Sequence, residues 1–145
     1  MSDKYDPLKL ENQLCFPLYA ASREVVKKYH QHLAVIGITY TQYITMMVMW
    51  EHKNITVKAL GEILFLDSGT LTPVLKSLEA KGYVIRQRNS DDERSVNVFI
   101  TDEGEHLKEL AADIPLKVAG CVGLDSEEAI KLYELLYKVL RPDNE

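Results

Sequence analysis

The run Asp67-Ser68-Gly69-Thr70-Leu71-Thr72-Pro73-Val74-Leu75-Lys76-Ser77-Leu78-Glu79-Ala80-Lys81-Gly82, continuing into Tyr83-Val84-Ile85-Arg86-Gln87-Arg88, decides how this chain folds. Asp67, Ser68 and Thr70 are helix-capping residue types, and Leu71, Val74, Leu75 and Leu78 then recur three and four apart, which is one helical face. Lys81 and Gly82 close the helix with a basic last turn and the glycine that helix ends favour. Tyr83 to Arg88 reads as a strand, Asn89-Ser90-Asp91-Asp92-Glu93-Arg94 as a turn, and Ser95-Val96-Asn97-Val98-Phe99-Ile100 as a returning strand. Just upstream, Asn54-Ile55-Thr56 is a break, with Thr56 capping a short helix over Val57 to Leu64. Two short helices followed by a two-stranded hairpin with a charged tip make a winged helix-turn-helix.

Outside this module the pattern is helical. Leu10, Leu14, Leu18, Ala21, Val25 and Tyr29 are spaced as one helix face, interrupted by Pro17, which either kinks the helix or marks its start near Phe16. A second helix is expected over Thr41 to His52. Thr101-Asp102-Glu103 caps another that runs toward Cys121 with Pro115 inside it. Ser126-Glu127-Glu128 opens the last, with Ala129, Leu132, Tyr133, Leu136, Val139 and Leu140 as its stripe and Pro142 after its end. The expectation is one mainly α domain over residues 1–145 with a small β-hairpin wing. Residues 54–101 form the winged module, and residues 8–53 and 102–141 supply dimerisation helices. Long amphipathic helices with little other core to cover them point to an intertwined homodimer.

Composition narrows the function. At 145 residues, 46% hydrophobic and 27% charged, the chain can bury a core without a metal or disulfide staple. No apolar run approaches the ~20 residues of a membrane span, and the charged N-terminus lacks a signal-peptide core. Two cysteines, Cys15 and Cys121, are too few for a disulfide scaffold or a paired-cysteine zinc site, so a cytoplasmic setting with reduced thiols is expected. His30, His32, His52 and His106 form no metal pattern, and neither metal nor cofactor is expected. The net charge of −5 lies entirely outside residues 54–101, where six basic residues balance six acidic ones. A neutral module can still bind DNA if its cations face phosphates.

A recognition helix brings its N-terminal residues to the base edges. Here those are Ser68, Gly69, Thr70 and Thr72, with Pro73 and Lys76 beyond. Hydroxyls and a glycine permit close approach, and Lys76 can neutralise a phosphate. At the wing tip Arg94 can reach a neighbouring minor groove. Asp92 beside it is either a solvated turn residue or the partner of an ion pair that holds Arg94.

The helix from Asp67 to Gly82, the Arg86-Gln87-Arg88 strand and the Asp91-Asp92-Glu93-Arg94-Ser95 wing closely resemble the MarR (multiple antibiotic resistance regulator) family. Leu14-Cys15-Phe16 with Tyr19, Tyr29 and Tyr40 resembles its branch of organic-hydroperoxide-sensing repressors. The resemblance spans nearly the whole chain. It implies a homodimeric repressor of a pseudo-palindromic double-stranded operator, contacted also by Arg86, Arg88 and Asp92, that lets go when Cys15 is oxidised. It further implies that tyrosines of the other subunit, Tyr29 and Tyr40, face the sensing thiolate; Tyr19 either lines the same pocket or packs on its own helix. Cys121, which lies 106 positions after Cys15, matches the two-cysteine pattern in which a distal cysteine forms an intersubunit disulfide.

The chemistry is coherent with that implication. A thiolate attacks a peroxide oxygen and becomes a sulfenic acid, and tyrosine hydroxyls can donate to a thiolate. A helix starting near Pro17 would add its positive end. As plain packing, Cys15 is a small hydrophobe and Cys121 an ordinary cysteine between Ala119-Gly120 and Val122-Gly123. Two other functions compete. One is a repressor of the same family gated by a small aromatic ligand in the helix–wing cleft, with Cys15 incidental. The other is a thiol peroxidase, against which stands the absence of any thioredoxin-like βαβ pattern; an enzyme is not expected.

Overall fold

Pro17 has no N–H to give a helical carbonyl, and it sits where none is required. In the computed structural model, which describes residues 3–92 and 94–141, helix α1 runs Cys15–Val35 with Pro17 as its third residue. The proline therefore marks a start rather than a kink. Leu10 lies in a separate 3-10 turn, Leu10–Asn12, and Leu14 stands at the N-cap position of α1. Those two leucines thus fall outside the helical face on which their spacing put them: the turn's rotation per residue breaks the phase before α1 begins. Glu93 and Pro142 lie outside the described residues.

Helix α2 spans Tyr40–His52 and opens with a reciprocal cap, in which Thr39 and Gln42 each accept the other's backbone N–H. Strand β1, Asn54–Thr56, precedes α3, Val57–Leu64, and α4, Ser68–Ala80. The wing is β2, Val84–Arg88, and β3, Val96–Ile100. The sheet has three antiparallel strands in the order β1-β3-β2, with Ile55 and Arg86 both opposite Val98. The two-stranded hairpin of the sequence reading therefore gains a strand. Three residues cannot display an alternation, and Asn54–Thr56 becomes extended because β3 offers it an edge.

Helix α5, Asp102–Ala111, stops before Pro115, and the separate α6, Ile114–Ala119, takes that proline at its second position. The single helix expected to reach Cys121 is thus two, since Pro115 is placed where its missing N–H costs nothing. The last helix, α7, is Ser126–Leu140, capped by Asp125.

The core joins Leu33 of α1, Met46, Met49 and Trp50 of α2, Leu60 of α3, and Leu71, Leu75 and Leu78 of α4 to Val84, Val98, Leu107, Ile114 and Val118. Each such side chain contributes roughly 1.5–3 kcal/mol through burial. The buried Trp50 indole N–H donates to the Gly104 carbonyl at 2.8 Å. Gly104 itself must lack a side chain, because a Cβ there would lie 2.3 Å from the Tyr83 carbonyl oxygen. Helix α7 differs from all of these: none of its residues is buried. Ile130, Leu132, Tyr133, Leu135, Val139 and Leu140 are exposed on it, as are Phe16, Leu18 and Tyr19 on α1. One protomer leaves these terminal helices with uncovered apolar faces, the character of a protein–protein contact surface.

Candidate redox site and nucleic-acid interface

Cys15 is the first residue of α1, exposed and unbonded to any cysteine. An anion at this position faces the unpaired N–H groups of the first helical turn. Tyr19 lies one turn further on the same face, exposed, with the Arg23 guanidinium 5.4 Å from its ring centre. Tyr29 is fourteen residues beyond Cys15 in the same helix, roughly 21 Å along its axis. It cannot touch the thiol of its own chain.

Tyr29 instead joins Tyr40 and Tyr43 in a ring cluster where α1 and α2 meet. The ring centres are 5.1 Å apart for Tyr29–Tyr40, 5.6 Å for Tyr29–Tyr43 and 6.2 Å for Tyr40–Tyr43. Burial raises the pKa of all three phenols, with mutual repulsion adding to it in Tyr40 and Tyr43, and Tyr43 is pushed up to about 12. At neutral pH these groups are protonated donors. Sequence reasoning named Tyr29 and Tyr40 but missed Tyr43, whose position three residues after Tyr40 was the available signal.

Cys121 is exposed in the turn between α6 and α7, its thiol 3.5 Å from the Lys117 carbonyl. Gly123, two residues on, holds a left-handed φ of 80°, a conformation that glycine adopts without strain.

Several of the DNA-facing candidates already hold bonds within the protomer. Asp67 caps α4 by accepting the Thr70 N–H at 2.7 Å, a bond that holds its carboxyl below the usual carboxylate range. Ser68, Gly69, Thr70, Pro73 and Lys76 are exposed along one side of α4, while Leu71, Leu75 and Leu78 are buried on the other. The Thr72 hydroxyl is turned back onto the Ser68 carbonyl at 2.7 Å. Arg86, expected at DNA, is also bonded within the protomer: its backbone N–H and guanidinium donate to the Glu79 carboxylate at 2.8 and 3.1 Å. The cause is register, since β2 passes directly beside the end of α4 and puts Arg86 within reach of Glu79. Asp92 accepts the Arg94 backbone N–H at 3.0 Å, so it shapes the wing tip in place of the side-chain ion pair weighed from sequence. Arg88 ends β2 and is exposed.

Between α3, α4 and the wing lies a concavity of about 850 Å³ whose lining includes Lys58, Ser68, Thr72, Arg86, Arg94 and Ser95. Lys58 was not singled out from the sequence. Its charge was visible there, but its place opposite the wing exists only after folding.

A helix-turn-helix whose second helix exposes a small, hydroxyl-rich face beside an arginine-tipped wing defines a winged-helix transcriptional regulator. The family model described as transcriptional regulator SarA/Rot matches residues 27–110. The chain is 49% identical over 140 residues to the organic hydroperoxide resistance transcriptional regulator of Bacillus subtilis (strain 168), covering 97% of this chain and 95% of that one. Its fold is similar to reduced AbfR bound to DNA, with a TM-score of 0.78, 36% identity and coverage of 95% and 96% of the two chains. Against disulfide-formed AbfR the TM-score is 0.65, at 33% identity and coverage of 95% and 97%. The chain belongs to the MarR family of transcriptional regulators, in the branch of organic hydroperoxide resistance regulators.

Proposed function

We propose that this protein is a homodimeric repressor that holds a pseudo-palindromic operator while Cys15 is reduced and releases it when an organic hydroperoxide oxidises that thiol. The observation that carries this reading is the separation of Cys15 from Tyr29 of its own chain. An exposed thiol heads α1, while Tyr29 sits roughly 21 Å away along the same helix, packed against Tyr40 of α2. A second copy, seated on the exposed faces of α1 and α7, brings its Tyr29 and Tyr40 to that thiol.

The Cys15 thiolate attacks a peroxide oxygen, the O–O bond breaks, and the alkoxide leaves and takes a proton as the alcohol. Cys15 is then a sulfenic acid. The thiol of Cys121 of the partner subunit attacks it, an S–S bond forms and water departs. Each event consumes one peroxide and leaves an oxidised dimer, which is signalling stoichiometry rather than enzymatic turnover. The protomer matches the reduced, DNA-bound form of AbfR better than its disulfide form. This supports reading the conformation as the DNA-competent one.

On DNA, the exposed side of α4 enters the major groove, with Ser68, Gly69 and Thr70 nearest the bases and Pro73 beyond them. Lys76, Lys58 and Arg88 face phosphates, and Arg94 reaches the minor groove, steadied by the Asp92 turn. Half-sites must match the ~34 Å groove repeat, so a modest rearrangement of the dimer helices mis-registers one reading head. Among the described residues no single helix is long and apolar enough to cross a membrane. Such a repressor works in the cytoplasm, with DNA, its second copy and the oxidant as its partners.

A second reading rests on an apolar cleft of about 380 Å³ formed by residues including Tyr43, Met47, Trp50, Ala111 and Pro115, with Lys108 and Glu51 also on its lining. A small aromatic ligand lodged there would gate the same repressor without Cys15.

Operator binding before and after stoichiometric organic hydroperoxide, with non-reducing electrophoresis of wild type, Cys15→Ser and Cys121→Ser, separates these readings. Loss of binding with a covalent dimer absent from both variants is the expected result. Loss without a covalent dimer would keep Cys15 and return Cys121 to a packing role. Undiminished binding would leave the ligand-gated repressor.

A further inference from the structure

We infer that Gln42 is the positioning residue that couples the tyrosine cluster to the recognition helix. The inference rests on the redox reading above and deepens it.

Gln42 is a buried polar side chain, 5% exposed, in the first turn of α2. Successive helical residues are rotated by ~100°, so Gln42 points away from Tyr40 and Tyr43 while moving as one body with them. The tyrosines face α1, and Gln42 faces the end of α4. Its amide nitrogen donates to the Ser77 hydroxyl at 2.8 Å. Its carbonyl oxygen accepts the Lys81 ammonium at 3.1 Å and the Thr39 backbone N–H at 3.0 Å. The same ammonium donates to the Gly37 carbonyl at 2.6 Å, in the turn that joins α1 to α2. One buried side chain therefore ties three things together: the α1–α2 turn, the tyrosine-bearing start of α2, and the last two turns of α4.

A buried amide that lost these partners would be left with unsatisfied donors and acceptors, which is costly away from water. The junction therefore resists gradual slippage. A displacement of Tyr29 and Tyr40, on oxidation of the thiol they serve, must either carry Ser77 and Lys81 with it or break the set. Either outcome moves the recognition helix relative to the dimer helices, and a packed polar junction of this kind has discrete arrangements rather than a continuum.

The test compares operator affinity of reduced and peroxide-oxidised full-length dimers for wild type, Gln42→Met, Ser77→Ala and Gln42→Glu. Methionine keeps the volume and helix preference but bridges nothing. Glutamate still accepts from Lys81 and can accept from a turned Ser77 hydroxyl, so it serves as the conservative rescue. Allosteric factors run about 5- to 150-fold, and wild type is expected to lose affinity on oxidation by a factor in that range. In Gln42→Met and Ser77→Ala the oxidised and reduced affinities should converge, while sulfenic acid and disulfide form at wild-type rates. Gln42→Glu should restore the difference. By reciprocity, operator DNA should disfavour disulfide formation in wild type and in Gln42→Glu, but not in the other two.

Convergence in neither variant would overturn the coupling role and leave the redox reading intact. If wild type itself kept its operator after oxidation, the redox reading would fail and the coupling with it. Should Gln42→Met not fold, Ser77→Ala reads the same link from the α4 side.

Discussion

Glu79 and Arg86 clamp the wing to the recognition helix: a single carboxylate near the end of α4 accepts both the backbone N–H and the guanidinium of a β2 residue, at 2.8 and 3.1 Å. The main-chain bond fixes the direction in which β2 leaves the helix, and the guanidinium fork fixes its twist. Arg86 keeps the carboxyl of Glu79 below its usual range, first through that backbone bond. An arginine committed in this way is a poor phosphate ligand. Arg86→Ala should therefore weaken operator binding without changing its salt dependence, whereas Lys76→Ala should reduce the salt slope by about one. Fluorescence anisotropy across a salt series measures both. A slope reduced by Arg86→Ala would put that side chain on DNA after all.

The two glycines that admit close backbone approach should be among the least replaceable residues of the protomer. A Cβ on Gly61 would stand 2.5 Å from the Leu66 carbonyl oxygen, and one on Gly104 would stand 2.3 Å from that of Tyr83. Backbone atoms cannot step aside as a flexible side chain can. Gly61→Ala and Gly104→Ala should each cost about 2 kcal/mol or more, lowering Tm by several degrees in calorimetry. Gly120→Ala, with open space around its Cβ position, should be nearly silent.

Alkaline pH should loosen the tyrosine cluster. Burial, then Tyr29 and Tyr40, push the Tyr43 phenol up to about 12, against an ordinary value of ~10. Between those values the folded chain holds a proton that the unfolded chain has lost. The stability contribution is therefore complete below pH ~10 and disappears as the pH rises toward ~12. Tyr43→Phe should flatten this part of the stability profile in denaturant titrations. A tyrosinate absorbance step that reports all eight tyrosines ionising together near ~10 would contradict the prediction.

Supply of the phenols by the other subunit predicts complementation. Tyr29→Phe should slow Cys15 oxidation by about tenfold, the scale of one hydrogen bond to a charged group, and should leave the ring stack intact. Mixed dimers of Tyr29→Phe with Cys15→Ser contain one site with both an intact thiol and an intact tyrosine. Half of the wild-type sulfenic acid should then form at the wild-type rate, as read by dimedone labelling. A uniformly slow reaction would mean that the tyrosine does not act across the dimer.

Ile130 and Tyr133 stand on the uncovered face of α7 at 60% and 62% exposure. A charge placed there should disrupt association while sparing the fold of the protomer, whose core lies elsewhere. Ile130→Glu should yield monomer by analytical ultracentrifugation with its helical circular dichroism largely kept. Loss of one of two linked reading heads should weaken operator binding by at least about 10²-fold. An unchanged dimer would show that α7 is not its contact surface.

The local code of this chain is strong where capping residues and apolar spacing agree. Asp67 through Gly82 announces α4, Thr56 and Thr101 announce the helices that follow them, and the alternation of Ser95 to Ile100 announces a strand; all of these depend on neighbours within one or two turns. Chemistry-bearing residues could also be nominated, because a cysteine flanked by spaced tyrosines and an arginine-tipped turn are visible as residue types. Tertiary structure alone decided their partners. The strand at Asn54–Thr56 exists through pairing with β3 more than forty positions away. Arg86 is taken by Glu79 because β2 returns along α4, and Gln42 is buried against Ser77, 35 positions distant. Periodicity records which way a residue faces, but what it meets there is settled by packing between segments that share no local signal.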